Sequence, residues 1–287
     1  MSGVVRIVAR DRCDLLGEGP VWSARENALL WVDILGRKLQ RLSLDDEAVT
    51  VWNMPEMIGW VIERAAAPGY IAGFASGFAE LTLEPLRIEP IVAPEPDRPQ
   101  NRLNDAKADH CGRIWAGTMP VAANEPSGCL YCLHVDRTVT RVDSGYTVAN
   151  GPALSPDGDV LYHTDSARRV IYKFQLRADG TLAGRAPFIE FPTSWGQPDG
   201  MTVDRDGGLW VAHYGAGRVS RFYDDGRLDR SIGLPASQIT SCAFAGEDLE
   251  RMFVTSAADG VSHEEHAGAL FEIEVGVPGL APHRFGG

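Results

Sequence analysis

Cysteine is scarce in this chain, with 5 residues in 287, and this excludes a scaffold held together by disulfides. No apolar run approaches the roughly 20 residues that a membrane-spanning helix needs. Met1–Arg10 also lacks the long apolar segment of a secretory signal. The sequence therefore predicts a cytoplasmic protein with no membrane partner.

Positive charge is also in the minority. The chain has 27 Lys and Arg against 39 Asp and Glu, which gives a formal net charge of -12. Proteins that bind nucleic acids need a clustered basic surface, so no nucleic-acid partner is expected. The same acidic balance argues against binding to an anionic membrane surface.

The length leaves two types of domain organisation open. A chain of this size is near the point where one hydrophobic core stops growing, so it forms either two ordinary domains or one domain built from repeats. Ala93–Pro99 is the best linker candidate, but it is short and similar patterns continue on both sides. We interpret it as a loop within a single domain over residues 1–287.

Six short segments resemble one another and recur every 40 to 48 residues, about the length of a four-stranded propeller blade. Each is a β-type run with an apolar or aromatic residue near its start. Each follows a turn signal, and another short apolar run precedes that turn. The segments are Leu30–Ile34, Tyr70–Phe74, Ile114–Met119, Leu161–Ser166, Leu209–Tyr214 and Met252–Ala257.

This repeat predicts an all-β fold, a six-bladed β-propeller. Helical periodicity is absent from these stretches, and so is the WD40 signature. Two packed β-sandwiches, the alternative, would not produce the even spacing. A propeller ring must be closed, and we expect Val4–Ala9 and Ala269–Val275 to pair in the same blade.

Cys129 and Cys132 form a CxxC pattern within Gly128–Val135, which has the composition of a strand. Residues three apart on a strand point to opposite faces. We therefore expect both thiols to serve in packing, and neither a metal site nor a redox pair.

Equivalent positions of the repeat carry mostly polar residues. Counting back about 11 to 13 residues from the apolar or aromatic residue near the start of each segment reaches one position in each unit. Equivalent positions of a propeller form a ring around its axis. Buried polar groups there need partners, either in a hydrogen-bond network with water or in a central metal ion bound by oxygen ligands. The six positions are Glu18, Gly59, Asn104, Asn150, Asp199 and Ser241.

At these residues the sequence resembles the gluconolactonase/regucalcin (senescence marker protein) family, and the resemblance extends from Leu16 to Gly260. Its character is closest to that of the bacterial sugar lactonases. The matching motifs are Leu16–Trp22 (LGEGPVW), Asn101–Asp105 (NRLND), Gly112–Met119 (GRIWAGTM), Asn150–Gly151, Ser155–Gly158 (SPDG), Pro198–Met201 (PDGM) and Thr240–Phe244 (TSCAF).

The resemblance implies one divalent metal held by Glu18, Asn150 and Asp199. Calcium, magnesium, manganese, zinc and Fe(II) all remain open, because oxygen ligands do not single out one of them. It also implies that Arg102 and Asn104 bind the substrate, with Asn104 beside the metal. The implied reaction is hydrolysis of a sugar-acid lactone.

The catalytic residues implied in this way are Asp199 and Asn104, with Asp199 as general base. Coordination to a metal lowers the pKa of a carboxylate and weakens it as a base. A route in which the metal activates the water and Asp199 only orients it therefore stays open. Two other functions also stay open: hydrolysis of organophosphates or other esters on the same fold, and a non-catalytic calcium-binding propeller.

One position differs from the pattern of the animal members of the family. Animal members of the family carry an acidic substrate-facing residue where this chain has Ala122, and Asn124 or Glu125 are the possible replacements.

His163 and His213 lie on two of the six recurring β-type segments, where they belong either to the core or to the channel. No GxSxG motif supports a serine nucleophile.

Overall fold

The computed structural model of the protein describes residues 4–287. Residues 1–3, which belong to the predicted domain over residues 1–287, lie outside the described part of the chain. Six antiparallel sheets of four strands each are arranged in a ring, because the first strand of every sheet packs on the first strands of two neighbouring sheets. The predicted six-bladed β-propeller is confirmed, whereas its central metal site stays a prediction.

Blades 1 to 5 each use four consecutive strands, and blade 6 combines strands from both ends of the chain. Blade 1 contains β2 (Gly17–Ser23), β3 (Ala28–Asp33), β4 (Lys38–Ser43) and β5 (Val49–Asn53). Blade 2 contains β6 (Ile58–Glu63), β7 (Tyr70–Phe74), β8 (Phe78–Leu83) and β9 (Leu86–Val92). Blade 3 contains β10 (Asn101–Ala108), β11 (Ile114–Pro120), β12 (Gly128–Leu133) and β13 (Val139–Tyr146).

Blade 4 contains β14 (Ala149–Leu154), β15 (Val160–Asp165), β16 (Val170–Leu176) and β17 (Leu182–Glu190). Blade 5 contains β18 (Gln197–Val203), β19 (Leu209–Tyr214), β20 (Arg218–Phe222) and β21 (Leu228–Gly233). Blade 6 contains β22 (Ile239–Ala245), β23 (Arg251–Ser256), β24 (Phe271–Glu274) and β1 (Val5–Ile7). A 3-10 helix at Thr193–Trp195 precedes β18, and no helix in residues 4–287 is long and apolar enough to cross a membrane.

Burial decreases from the axis outward. The first strand of each blade lines the central channel and is almost wholly buried, as β6 shows. The fourth strand lies at the outer edge and is largely exposed, as β9 shows. The marked segments of the sequence are the second strands, which are buried on both faces between neighbouring blades.

Aromatic residues recur near the start of these strands, and two of them, Trp115 and Trp210, donate hydrogen bonds to an aspartate of the turn before their strand. In blade 3 the Oδ2 atom of Asp109 accepts hydrogen bonds from Trp115 Nε1 at 2.9 Å and Arg113 Nε at 2.7 Å. In blade 5 the Oδ2 atom of Asp204 accepts from Trp210 Nε1 at 2.7 Å and from Arg221. A buried carboxylate paired in this way fixes the turn to the strand that follows it.

The ring closes as the sequence predicts. Val5 pairs with Ile273 and Ile7 pairs with Phe271, so β1 is the outer strand of blade 6. Cys129 and Cys132 are both buried within β12, as expected for side chains that serve in packing.

The chain after β24 crosses the end of the channel at which the first strands finish. Gly279 N donates to Leu249 O at 2.8 Å in blade 6. Further on, Phe285 N donates to Glu63 O at 2.8 Å in blade 2. The Phe285 ring is fully buried beside Trp60 and Ile62, so this C-terminal segment (residues 276–287) links blades that are distant around the ring.

We expect Phe285→Ala to lower the free energy of unfolding by about 3–5 kcal/mol, because it removes a fully buried ring and leaves a cavity. Urea denaturation followed by circular dichroism measures the change. Leu280→Ala, in the same segment but 36% exposed, is the control and should cost less than about 1 kcal/mol. Equal effects of the two substitutions would show that Phe285 does not anchor the segment.

Candidate functional site

All six first strands break their pairing register at the same level of the channel, near their N-terminal ends. We call this the upper end. Residues inside such a break leave the regular alternation and can direct side chains to new positions, which is why bulges recur beside active sites. The breaks lie between Glu18 and Val21, Ile58 and Trp60, Leu103 and Ala106, Asn150 and Ala153, Pro198 and Met201, and Ile239 and Ser241.

A chain of hydrogen bonds joins the polar residues of blades 3 and 4 at this level. Arg102 Nη1 donates to Asn104 Oδ1 at 2.6 Å. Asn104 Nδ2 donates to Asn150 Oδ1 at 2.9 Å and to the carbonyl of Ala149 at 2.7 Å. Asn150 Nδ2 in turn donates to Ser166 Oγ at 3.1 Å. These bonds fix the orientation of the Asn150 amide and of the Arg102 guanidinium.

Three carboxyl groups are buried around the same axis. Burial, reinforced by the charge of Asp105, raises the pKa of Glu18 to about 8. Burial also raises the pKa of Asp199 well above its ordinary value, with further contributions from Glu18 and Asp105. The pKa of Asp105 is raised by burial as well. Each group affects its neighbours because little water separates the charges.

Arg102 is the guanidinium that faces these acids. Burial lowers its pKa to about 10, although the charges of Glu18 and Asp199 act to raise it. It therefore stays protonated at neutral pH, since that pKa lies well above 7. One guanidinium does not balance three carboxylates, and uncompensated buried charge is costly.

The residues at the upper end suit a divalent cation. Asp199 Oδ1, Asp105 Oδ2 and Ser241 Oγ are buried and have no hydrogen-bond partner within the described chain. Carboxylate and amide oxygens are the ligands that hard cations prefer, and Asn150 Oδ1 keeps a second lone pair beside the bond it accepts. No three His, Cys, Asp or Glu side chains form a metal-binding group in residues 4–287, but the predicted set has only two such residues and an amide.

The structure thus brings together every residue that the sequence singled out for this site: Glu18, Arg102, Asn104, Asn150 and Asp199 are each at most 6% exposed and lie around one axis. Their roles as metal ligands, substrate-binding or catalytic residues stay predictions. The hydrogen bonds of Asn104 go to Arg102, Ala149 and Asn150, which makes it a positioning group here as well.

The two histidines belong to the packing between strands. His163 is fully buried with its ring 4.5 Å from that of Tyr146, and burial lowers its pKa to about 3. His213 stacks on Phe191 at 4.5 Å and donates from Nδ1 to the carbonyl of Trp195 at 2.8 Å. Burial lowers the pKa of His213 to about 4, so both rings are neutral near pH 7.

Sequence reasoning missed two acids. Asp105 follows Asn104 directly, and the break in β10 turns both residues out of the regular alternation. Glu95 lies in the loop before β10 and lines a small cleft with Arg102. Its carboxylate accepts hydrogen bonds from Asn101 Nδ2 at 2.8 Å and from the Tyr131 hydroxyl at 3.0 Å.

The loop around Ala122 offers no obvious replacement for the acid expected there. Ala122, Asn124 and Glu125 are all exposed between β11 and β12. An acid from a different loop, Glu95, lines a cleft together with Arg102. Only the folded chain could show this, because 27 residues separate Glu95 from Ala122 in the sequence (122 minus 95).

Comparison with known proteins gives consistent matches. Residues 16–258 match the family described as SMP-30/Gluconolactonase/LRE-like region. The 6-deoxy-6-sulfogluconolactonase of Pseudomonas putida is 35% identical over 100% of both chains. The L-arabinolactonase of Azospirillum brasilense is 36% identical over 100% of this chain and 97% of its own.

A solved structure agrees with these matches. The regucalcin of Agrobacterium tumefaciens, described as a calcium-binding protein, superimposes with a TM-score of 0.93 and 27% identity. The alignment covers 99% of this chain and 97% of that one.

The raised pKa of Glu18 predicts that the free energy of unfolding depends on pH when any bound metal has been removed with a chelator. A carboxyl group whose pKa is higher in the folded state binds more protons when folded, so stability falls as pH rises through that pKa. The lowered pKa values of His163 and His213 make stability rise with pH instead, but this contribution is confined to values below about pH 6.5. Between pH 6.5 and 8 we expect the wild type to lose at least about 1 kcal/mol of unfolding free energy.

Urea midpoints at several pH values provide the measurement, and Glu18→Gln is the comparison because it cannot titrate. The variant should show a flatter profile than the wild type over this window. Parallel profiles would mean that Glu18 does not carry the buried charge described above.

Proposed function

The chain belongs to the SMP-30/gluconolactonase/LRE-like family, and we propose that it is a metal-dependent lactonase that hydrolyses a sugar-acid (aldono-) lactone to the free acid. It is a lactone-hydrolysing enzyme by its family relations, since relatives matched over their full length are named lactonases. The observation that supports the metal-dependent form is the set of three buried carboxyl groups at the upper end of the channel, two of which, Asp105 and Asp199, have an oxygen without a hydrogen-bond partner within residues 4–287.

Glu18, Asn150 and Asp199 would hold the cation. When bound, a divalent cation polarises a carbonyl group and offsets buried negative charge. Calcium is the first candidate, because a relative of similar structure is described as calcium-binding and the donor atoms are hard oxygens. Magnesium, manganese, zinc and Fe(II) remain alternatives for the same donors.

The protein's own residues supply the other requirements of ester hydrolysis. Water must attack the carbonyl carbon, the bond to the ring oxygen must break, and that oxygen must receive a proton. Within residues 4–287, Asp199 Oδ1 has no hydrogen-bond partner and is free to accept a proton from the attacking water. Burial and the neighbouring acids raise the pKa of Asp199 in the metal-free protein, and a bound cation would lower it and keep the carboxylate ionised, as a base requires.

Arg102 would orient the lactone and stabilise the negative charge that develops on its oxygen. Its guanidinium is held by Asn104 Oδ1 and by the carbonyl of Leu103 at 3.1 Å, so it does not have to reorganise during the reaction. Asn104 would keep Arg102 and Asn150 in place through its three hydrogen bonds and contact the substrate beside the metal. Such positioning contributes several kcal/mol in well-oriented reactions.

Proton release at constant pH from a panel of five- and six-membered aldonolactones tests this function. We expect hydrolysis to disappear after chelation and to return with one added metal. Organophosphates belong in the same panel. If metal-loaded protein hydrolysed no lactone but cleaved an organophosphate, the lactonase assignment would be wrong.

Asp199→Asn should lower kcat at least about 100-fold, because it removes the base. Metal content must be measured in parallel, since the same substitution weakens a ligand. Asp225→Asn, at an exposed turn of the same blade, is the control and should behave like the wild type. Full activity of Asp199→Asn with normal metal content would exclude Asp199 both as base and as orienting group.

A further inference from the structure

The opposite, lower end of the channel contains a cavity of a different character. Its volume is about 110 Å³. It begins just below the acids, at Gly19 and Ala106, and the C-terminal segment forms one of its walls through Leu280, Ala281, Pro282 and His283. An apolar cavity of roughly this size can hold one small organic ring.

The walls of this lower cavity are mostly apolar. Trp22, Trp60 and Phe244 contribute aromatic surface, and aliphatic residues of all six first strands fill the space between them. No aspartate or glutamate lines it. Burial lowers the pKa of His283, so its ring is neutral at pH 7 and the cavity presents one cation, Lys107.

Lys107 is one of three lysines in the chain and differs from the other two. Lys38 Nζ donates to the carbonyl of Gly36 at 3.0 Å, and Lys173 Nζ lies over the ring of Phe188 at 5.2 Å. The Lys107 side chain is half-buried, yet within residues 4–287 it makes no hydrogen bond or salt bridge. Its charge opposes the rise in the pKa of Asp105 and Glu18, so it lies near the acids as well as in the wall of the cavity.

We propose that the lower cavity is a second binding site, for a small organic monocarboxylate with an apolar body. The carboxylate would pair with the Lys107 ammonium, which supplies three donors and has no side-chain partner among the described residues. The apolar body would lie against Trp22, Trp60 and Phe244. A polyhydroxy acid fits this site poorly, because its hydroxyl groups would be left unpaired against apolar walls.

Both ends of the wall formed by the C-terminal segment are fixed, by the hydrogen bonds at Gly279 and Phe285. Pro282 further restricts the backbone between them. The cavity is therefore formed before a ligand arrives, which lowers the entropy cost of binding.

Calorimetry on the chelated full-length protein tests the proposal, with benzoate and hexanoate as probes. Chelation prevents a metal at the upper end from recruiting the carboxylate. We expect both acids to bind, and benzyl alcohol, hexanol and gluconate to bind at least about tenfold more weakly, since they lack either the charge or the apolar body.

Lys107→Met keeps the length of the side chain and removes its charge, so it should weaken benzoate binding about tenfold. Lys107→Arg should retain most of the affinity, which separates loss of charge from a folding defect. Lys38→Met is the matched control and should bind like the wild type.

The Arg102→Met variant shows at which end of the channel benzoate binds, because it removes the buried cation of the upper end and leaves the lower cavity unchanged. Unchanged benzoate binding by this variant supports the lower cavity. Loss of binding by Arg102→Met, or equal binding by wild type and Lys107→Met, would overturn the proposal and leave Lys107 as a counter-charge to the acids. Neither outcome depends on lactone hydrolysis, so the proposed function is tested separately.

Discussion

The close approach of six first strands around one axis is the constraint on which the rest of the structure depends. A Cβ atom built at Gly59 would lie 2.5 Å from the carbonyl oxygen of Asn104 in the next blade. One built at Gly200 would lie 2.5 Å from the Cβ atom of Ser241. Neighbouring backbones thus touch at the level of the acids, and only glycine fits there. This contact brings Glu18 and Asp199 together although 181 residues separate them (199 minus 18).

The same crowding creates the electrostatic character of the upper end. Glu18, Asp105 and Asp199 have little access to water, so each raises the pKa of another or has its own raised by burial. Arg102 offsets part of this charge, and a divalent cation would offset more. Stability of the ring and affinity for a cation are therefore linked, since both depend on the same buried carboxyl groups.

The two ends of the channel differ because the strands are irregular at one end and regular at the other. Register breaks at the upper end turn polar residues toward the axis. Below the breaks, pairing resumes and small or apolar residues line the channel, apart from Lys107. The C-terminal segment then covers the lower end, where Phe285 anchors it. One channel thus presents a polar site and an apolar cavity.

The sequence by itself determined the fold and the level of the site, because a blade is a local unit whose strands and turns repeat in order. Equivalent positions of that repeat were enough to bring out Glu18, Asn150 and Asp199. Only the tertiary structure placed Glu95 beside Arg102, put Lys107 in the wall of an apolar cavity and enclosed that cavity under the C-terminal segment. Loops and termini follow no repeat, so their contacts depend on which distant blades the closed ring brings near them.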